Sequence, residues 1–288
     1  MTRAPMLARL PALLVEDVVA AALREDLGDA GDISTNATVP EDAVISAHLN
    51  ARNPGVIAGI DAALAAFALV DPEIDIDTIK DDGTDVVAGD TILAIHGPAR
   101  GILTGERVAL NFLCHLSGIA TATRALVDAV AGNNAAIVGT RKTTPGLRAF
   151  EKHAVKCGGG KSHRYGLYDA VMIKDNHIVA AGGIASALTA ARNAVGHMVK
   201  IEIEIDELTQ LDAALEGGAD VIMLDNMAPA DMRKAVERVD GKAILEASGN
   251  VTLETVRAIA QTGVDVISSG WITHSAPNLD LGLDFFQA

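Results

Sequence analysis

The second half of the sequence predicts an α/β protein built around a barrel or a partly closed barrel, and three observations lead to that fold class. Short aliphatic runs recur from residue 136 onward, and amphipathic helical stretches separate most of them. This alternation is typical of βαβ units in a parallel sheet. Each run also ends in a polar residue, and α/β barrels assemble their active sites from the C-terminal ends of their strands. Six such units fit a barrel better than a doubly wound sheet.

The runs and the stretches between them define the predicted elements of this half. Strands are expected at 136–140, 170–174, 199–206, 221–225, 243–248 and 264–270. Amphipathic helices are expected at 184–195, 207–216, 228–239 and 252–262. An isolated buried charge is costly, so six polar strand ends in a row indicate one wet, charged cleft rather than a packing motif.

The first hundred residues follow a different pattern, typical of a mixed α+β module. Helical patterns cover residues 11–25 and 61–69. Segments of alternating polarity predict strands at 44–51, 74–80 and 91–96. From 102 to 131 the pattern turns helical, and we interpret this stretch as a connector into a second domain.

The composition limits the classes of function. Hydrophobic residues make up 49% of the 288 residues but aromatic residues only 3%, so the core must consist of Ala, Val, Ile and Leu. A net charge of −15 argues against a nucleic-acid partner, which needs a broad basic face. It does not exclude a small anion, which responds to the local field in a cleft.

The sequence predicts a cytoplasmic protein. Cys114 and Cys157 are far apart and match no metal-ligand spacing, which fits a reducing compartment. The apolar run near the N-terminus meets Glu16 and Asp17 too early for a secretory signal. The most apolar stretch, 55–70, is too short to span a bilayer.

A local excess of basic residues marks residues 141–174 as the place to look for chemistry. This basic segment holds eight Lys or Arg residues in a chain with 38 acidic and 23 basic side chains, which indicates a pocket for a small polyanion. Arg141 and Lys142 directly follow a predicted strand, and an Arg fork holds a carboxylate with two hydrogen bonds. His163 and Arg164 form a second cationic pair. The alternative is a solvated loop, and Lys152, Lys156 and Lys161 are candidates for plain solvated surface.

Acidic residues at other strand ends complement the basic segment. Lys174 ends one predicted strand and Asp225 ends another. A carboxylate at such a strand end is suited to binding ribose hydroxyls or Mg²⁺. Glu202 and Glu204 alternate within one strand, so both point to the same face, which in a barrel is the lumen. An edge strand with a wet face is the alternative.

Two clusters of small residues predict a phosphate site. Ser248, Gly249 and Asn250 precede a predicted helix, and Ser269 and Gly270 close the last predicted strand. The free N–H groups at a helix start bind phosphate, and loops after the final barrel strands commonly do so. The same residue types are also ordinary helix N-caps.

Seven segments, spread over nearly the whole chain, carry a resemblance to a known family: EDLGDAGDIST, ERVALNFLCHLSGIATAT, GTRKTTPGLRAFEKHAVKCGGGKSHRYGLYDAVMIKDNHI, IEIEID, MLDN, LEASGN and GWITHSAPNLDLGLDF. In this order they resemble the quinolinate phosphoribosyltransferase family (nicotinate-nucleotide pyrophosphorylase, carboxylating). The resemblance implies an incomplete, six-stranded α/β barrel at 116–271 and an N-terminal α/β sandwich domain at 1–115, joined by residues 272–288. It also implies a homodimer with shared active sites, or a hexamer built as a trimer of dimers.

The family's reaction transfers phosphoribose from 5-phosphoribosyl 1-diphosphate (PRPP) to the nitrogen of quinolinate, with loss of CO₂ and diphosphate. The product, nicotinate mononucleotide, leads to NAD, so the resemblance implies a pentosyltransferase of NAD biosynthesis. By motif, the quinolinate-binding residues would be Arg141, Lys142, His163 and Arg164, with Arg107 from the neighbouring subunit, and Thr140 would be a further substrate-binding residue. The PRPP-binding residues would be Lys174, Glu204, Asp225, Ser248, Gly249, Asn250, Ser269 and Gly270.

Among these residues the resemblance implies a catalytic set of Lys142, Lys174, Glu204 and Asp225. Mg²⁺ would bind the diphosphate of PRPP, with Glu204 and Asp225 as the candidate protein ligands. Without the resemblance, charge and position in the sequence do not identify Arg107 as a site residue, because an arginine on a predicted helix is most often a surface residue. The family usually has Ser-Gly-Gly where this chain has Ser248-Gly249-Asn250, which puts the phosphate contact at Asn250 in doubt.

Two alternatives to this function differ in one feature each. A paralogue of the same fold with a changed substrate, of the molybdenum-operon type, should differ in the cations that read the second carboxylate. A non-catalytic sensor of phosphorylated sugars should lack Glu204 or Asp225 while keeping the anion pocket. This chain retains the cations and both acids.

Overall fold

The computed structural model describes residues 8–286, which pack as two compact units. Of the described residues, the first unit comprises 8–124, the segment Thr144–Gly159 and 275–286. The second comprises Ala125–Thr143 and Gly160–His274. The division into domains at 1–115 with 272–288 and at 116–271 stays a prediction.

The described residues form thirteen strands and eleven α-helices, numbered here in chain order. The strands are β1 Val44–Ala51, β2 Gly55–Val56, β3 Asp75–Thr78, β4 Asp85–Val86, β5 Thr91–Pro98, β6 Ala136–Gly139, β7 Lys161–Ser162, β8 Val171–Ile173, β9 Ile201–Ile205, β10 Val221–Asp225, β11 Ile244–Ser248, β12 Val266–Ser269 and β13 Leu281–Phe286. The helices are α1 Ala12–Leu27, α2 Ile33–Thr38, α3 Ile60–Val70, α4 Ala99–Ala129, α5 Arg148–Cys157, α6 Asp175–Ala181, α7 Ile184–Ala194, α8 Leu211–Glu216, α9 Pro229–Val239, α10 Leu253–Ala260 and α11 Trp271–His274.

The first unit contains an antiparallel sheet of four strands in the order β13-β1-β5-β3. Strand β1 buries Ala47, Leu49 and Ala51, every second residue, as a sheet with one covered face requires. Helix α1 buries Val15 and Val19 at a four-residue spacing and packs against α3. The pairing of β13 with β1 brings the last described strand into the same sheet as the first.

The second unit contains a curled sheet of seven strands in the order β7-β6-β12-β11-β10-β9-β8. Every neighbouring pair is parallel. Among the described residues the edge strands β7 and β8 do not pair with each other, so the barrel is incomplete, and this prediction is confirmed. Strand β9 buries Ile201, Ile203 and Ile205 on one face and directs Glu202 and Glu204 to the other.

The six strands predicted from the aliphatic runs are all present, as β6 and β8 to β12. Strand β7, helix α5 and helix α6 were not predicted from the sequence. Strand β7 has only two residues, too few for a period to be visible. Helix α5 lies inside the basic segment, and its residues belong to the first unit rather than the second.

The core of each unit is aliphatic, as the composition predicts, and Phe67 and Phe150 are the aromatic residues among its largest fully buried side chains. Lys152, expected as solvated surface, is fully buried, whereas Lys156 and Lys161 are exposed. None of the helices between residues 8 and 286 is apolar over a length that would cross a membrane.

Candidate active site

A cavity of about 880 Å³ opens at the C-terminal ends of the strands in the second unit. All the predicted site residues except Arg107 line it: Thr140, Arg141, Lys142, His163, Arg164, Lys174, Glu204, Asp225, Ser248, Gly249, Asn250, Ser269 and Gly270. Parallel strands end at the same edge of a sheet, which is why residues so far apart in sequence meet. The size is that of a small-molecule site.

Two guanidinium groups dominate one side of the cavity. The Nη1 of Arg164 donates to the carbonyl oxygen of Ala170 at 3.2 Å. Burial, and then the positive charge of Arg141, lowers the pKa of Arg164. The Nε of Arg141 is buried and has no hydrogen-bond partner among the described residues. Two neighbouring guanidinium groups with N–H donors available for a ligand form a site for an anion with more than one charge.

Lys142 is the exposed cation of this side. The Oγ1 of Thr140 accepts from its backbone N–H at 3.1 Å, and its carbonyl oxygen accepts from the Oγ1 of Thr273 at 2.8 Å. Its side chain runs past Gly270, where an added Cβ would come within 2.8 Å of its Cδ. Hydrogen bonds therefore hold both the backbone N–H and the carbonyl oxygen of Lys142, and its side chain lines the cavity.

On the other side, one cation and two acids lie at the ends of three neighbouring strands. The Nζ of Lys174, which follows β8, contacts Oε2 of Glu204 on β9. Asp225 ends β10, and the Nδ2 of Asn226 donates to its Oδ2 at 2.8 Å. Carboxylates held in this way can accept from sugar hydroxyls or bind a hard cation.

A buried cluster lies behind the cations. The Nε2 of His163 lies 2.7 Å from Oε2 of Glu202 and 3.6 Å from Oε2 of Glu246. The Oε1 atoms of both glutamates are buried and have no hydrogen-bond partner among the described residues. Burial, and then the charge of Glu202, raises the pKa of Glu246 to about 7. The sequence offered one signal for Glu246, a carboxylate inside an aliphatic strand.

The predicted phosphate loop joins β11 to α10. Gly249 has a φ of +94°, and an added Cβ there would lie 2.1 Å from Oδ1 of Asn226. This position therefore requires glycine on both conformational and steric grounds. The second predicted phosphate turn, Ser269-Gly270, leads into α11, and the Oγ of Ser269 is buried without a hydrogen-bond partner among the described residues.

Arg107 is the predicted site residue that does not line this cavity. It lies on α4 in the first unit, where its side chain is exposed. Nine other residues of the lining were not among the predicted site residues, and Asn226, Glu246, Trp271 and His274 are four of them. Trp271 and His274 lie on α11, which follows β12, and no charge pattern in the sequence marks them.

Comparisons with known proteins point in one direction. The model of the quinolinate phosphoribosyl transferase N-terminal domain matches residues 32–117, and that of the C-terminal domain matches residues 119–284. The chain is 45% identical over 276 residues to the nicotinate-nucleotide pyrophosphorylase (carboxylating) of Mycobacterium leprae. This match covers 93% of this chain and 96% of that protein. It is 45% identical over 260 residues to the probable nicotinate-nucleotide pyrophosphorylase (carboxylating) of Bacillus subtilis, covering 90% of this chain and 89% of that one.

A solved structure agrees with these sequence matches. The nicotinate-nucleotide pyrophosphorylase from Francisella tularensis superposes with a TM-score of 0.93 at 39% sequence identity. The match covers 99% of this chain and 100% of that chain. The likeness therefore extends over both units rather than over the parallel sheet alone.

Proposed function

The chain belongs to the quinolinate phosphoribosyltransferase family, and we propose that it joins quinolinate to the phosphoribosyl group of PRPP in NAD biosynthesis. The products are nicotinate mononucleotide, CO₂ and diphosphate. One observation carries the proposal: the cations, acids and small-residue loops that the two substrates need line a single cavity.

Quinolinate is a dicarboxylate, and the cationic side of the cavity suits it. Arg141, Lys142 and Arg164 bind its two carboxylates in this proposal. The support is the buried Nε of Arg141, which has no partner among the described residues, and the pKa of Arg164, which burial lowers first and repulsion by Arg141 lowers further. A bound dianion offsets that repulsion, and an Arg fork holds each carboxylate in a fixed plane.

PRPP occupies the acidic side and the small-residue loops. Its 5-phosphate lies in the loop Ser248-Gly249-Asn250 and the turn Ser269-Gly270, where backbone N–H groups serve as donors. Glu204 and Asp225 accept from the ribose hydroxyls, and Lys174 neutralises charge on the donor. The support is the placement of these groups at adjacent strand ends within one cavity.

The reaction requires two charge shifts. The bond from the anomeric carbon of ribose to diphosphate breaks while the quinolinate nitrogen forms its bond to that carbon, and Glu204 steadies the developing positive charge on the sugar. The C2 carboxylate then leaves as CO₂, and the electron pair left at C2 takes up a proton. Fixed cations stabilise the negative charge that builds up on the ring. Lys142, Lys174, Glu204 and Asp225 are the proposed catalytic residues, and positioning both substrates supplies much of the rate enhancement.

Mg²⁺ is the proposed cofactor, and it would be bound by the diphosphate of PRPP together with protein carboxylates. Glu204 and Asp225 fit it, because Mg²⁺ prefers oxygen ligands and is often held by one or two carboxylates plus substrate phosphates. When bound, the ion neutralises the leaving diphosphate. Asn226 orients the Asp225 carboxylate through its 2.8 Å hydrogen bond.

A homodimer with shared active sites is the proposed assembly, and a trimer of such dimers is its larger form. Arg107 supports sharing, since it is an exposed cation and does not line the cavity of the second unit in its own chain. In the dimer it reaches the quinolinate of the neighbouring subunit. A cytoplasmic location is proposed on the sequence features given above.

A substrate comparison tests the proposed function. The protein is incubated with Mg²⁺, PRPP and either quinolinate or nicotinate, and nicotinate mononucleotide is quantified. Product from quinolinate and little or none from nicotinate is expected, because a pyridine with one carboxylate leaves part of the cationic side unpaired. Equal turnover of both would refute the assigned specificity.

A further inference from the structure

Both ring nitrogens of His163 have hydrogen-bond partners within the second unit. The backbone N–H of Arg164 donates to Nδ1 at 2.8 Å, and Nε2 lies 2.7 Å from Oε2 of Glu202. A nitrogen that accepts from a backbone N–H presents its lone pair, so the ring proton lies on Nε2 and is donated to Glu202. The ring therefore directs its polar groups at the protein rather than at a substrate carboxylate.

The partners of the ring come from distant strands. His163 follows the edge strand β7, whereas Glu202 lies on β9, next to the opposite edge strand. Glu246 on β11 adds a second carboxylate, and the glutamate side chains are only 6% and 3% exposed. The contact crosses the concave interior of the curled sheet. It therefore fixes the ring against strands that β7 does not pair with.

The ring in turn fixes the backbone of Arg164. The next two N–H groups, of Tyr165 and Gly166, donate to the carboxylate of Asp169 at 2.7 and 2.9 Å. The N–H of Arg164 is held by the His163 ring instead. A rotation of that ring would release the residue that carries one of the two guanidiniums of the cavity.

We propose that Glu202 and Glu246 are positioning residues that act through His163 on Arg164. They hold His163 as the Nε2–H tautomer, and its Nδ1 fixes the Arg164 backbone so that the guanidinium stays near Arg141. His163 thus has an indirect role in binding quinolinate, in place of the direct contact implied by the resemblance. This inference rests on the proposed function only for the identity of what the guanidiniums bind.

A metal ion held by the same residues is the competing interpretation. One nitrogen of His163 and one oxygen from each glutamate lie within 4.8 Å of one another. Two ligands of one ion at bond lengths of about 2.0–2.2 Å lie roughly 3 Å or more apart in tetrahedral geometry. The 2.7 Å separation of Nε2 and Oε2 is shorter and matches a hydrogen bond.

Nitrogen-15 NMR of the intact protein with labelled histidine tests the tautomer directly. The His163 signals are identified by their loss in His163→Asn. A proton on Nε2, none on Nδ1, and no change on adding Mg²⁺, Zn²⁺ or quinolinate are expected. A protonated Nδ1, or a ring nitrogen whose signal moves when metal or quinolinate binds, would overturn the proposal. Because the measurement needs no turnover, its failure is distinct from failure of the proposed function.

Matched variants separate the two ring nitrogens. In His163→Asn the amide oxygen replaces the Nδ1 acceptor, and in His163→Gln the amide nitrogen replaces the Nε2 donor. Because Nδ1 holds Arg164, the KM for quinolinate should rise about tenfold or more in the Gln variant and clearly less in the Asn variant. The KM for PRPP should stay unchanged in both. Equal effects of the two variants on the KM for quinolinate would contradict the proposal.

A second pair tests Glu202 itself. Glu202→Leu should raise the KM for quinolinate by about tenfold. Glu202→Gln keeps an acceptor for Nε2–H, so its KM for quinolinate should lie close to that of the parent protein. The exposed Glu216, at the end of α8, provides the control Glu216→Leu. A Leu variant that folds and binds quinolinate like the Gln variant would exclude Glu202 as a positioning residue.

Discussion

Asn250 and Asn226 are joined through their side chains: the Nδ2 of Asn250 donates to the Oδ1 of Asn226 at 3.2 Å. Both residues have a positive φ, 49° and 53°. Asparagine is one of the few residues besides glycine that adopts this left-handed conformation readily. The chain thus accommodates a side chain at a position of positive φ, and the hydrogen bond holds that side chain against the neighbouring strand end.

Two substitutions of Asn250 test this account of the phosphate loop. Asn250→Ala should lower the free energy of unfolding by about 1–2 kcal/mol, since alanine is strained at positive φ. It should also raise the KM for PRPP. Asn250→Gly should have a free energy of unfolding and a KM for PRPP close to those of the parent protein. Thermal unfolding and steady-state kinetics provide the measurements, and an alanine variant indistinguishable from the glycine variant would contradict the account.

Arg141→Ala should cost about 2–5 kcal/mol of transition-state binding, the range for removing one partner of a buried charge pair. The quantity to measure is kcat/KM for quinolinate. Lys161→Ala is the matched control, because Lys161 is an exposed cation of the same basic segment that does not line the cavity. An unchanged kcat/KM in Arg141→Ala would remove Arg141 from the site.

The buried Glu246 should make stability depend on pH. Burial and the charge of Glu202 raise its pKa from 4.5 to about 7 in the folded chain. Between these values the folded chain binds more protons than the unfolded chain, so the free energy of unfolding falls as pH rises. The loss is complete above the folded-state pKa and is on the order of 3 kcal/mol.

Glu246→Gln should remove this dependence. In urea denaturation the variant should match the parent at low pH, below the unfolded-state pKa, and should be the more stable protein at pH 8. Glu216→Gln, an exposed substitution, should leave the pH profile unchanged. A parent protein whose stability does not fall between pH 5 and pH 8 would show that Glu246 is ionised throughout.

Sharing of active sites predicts complementation between two inactive variants. In a heterodimer of Arg107→Ala with Lys174→Ala, one of the two sites combines an intact Arg107 with an intact Lys174. Purified heterodimers should therefore regain about half of the parent kcat. Inactive heterodimers of proven composition would argue that Arg107 does not act across the interface.

Six of the seven strands in the parallel sheet of the second unit were predictable, because each of them pairs an aliphatic run with a polar end. The resemblance then named residues that the cavity brings together, such as Thr140 and Gly270. The sequence did not predict which of the two units helix α5 belongs to. Its charges belong to the basic segment, yet Lys152 is fully buried and the helix belongs to the first unit. Burial of this kind is set by tertiary packing, which a charge count does not register.

The contacts of His163 show the same limit at the site. Sequence places His163 next to Arg164 and suggests a pair of cations. The ring nitrogens are instead taken up by Glu202, 39 residues away, and by the backbone of Arg164. No spacing or period relates β7 to β9, because the contact depends on how far the sheet curls.

The most direct test of the central claim follows the carboxyl carbon at C2 of quinolinate. The protein is given Mg²⁺, PRPP and quinolinate labelled with carbon-13 in that carboxylate, and CO₂, diphosphate and nicotinate mononucleotide are quantified together. Labelled CO₂, diphosphate and unlabelled nicotinate mononucleotide in equal amounts are predicted. No turnover, or a nucleotide product that retains the label, would contradict the assignment.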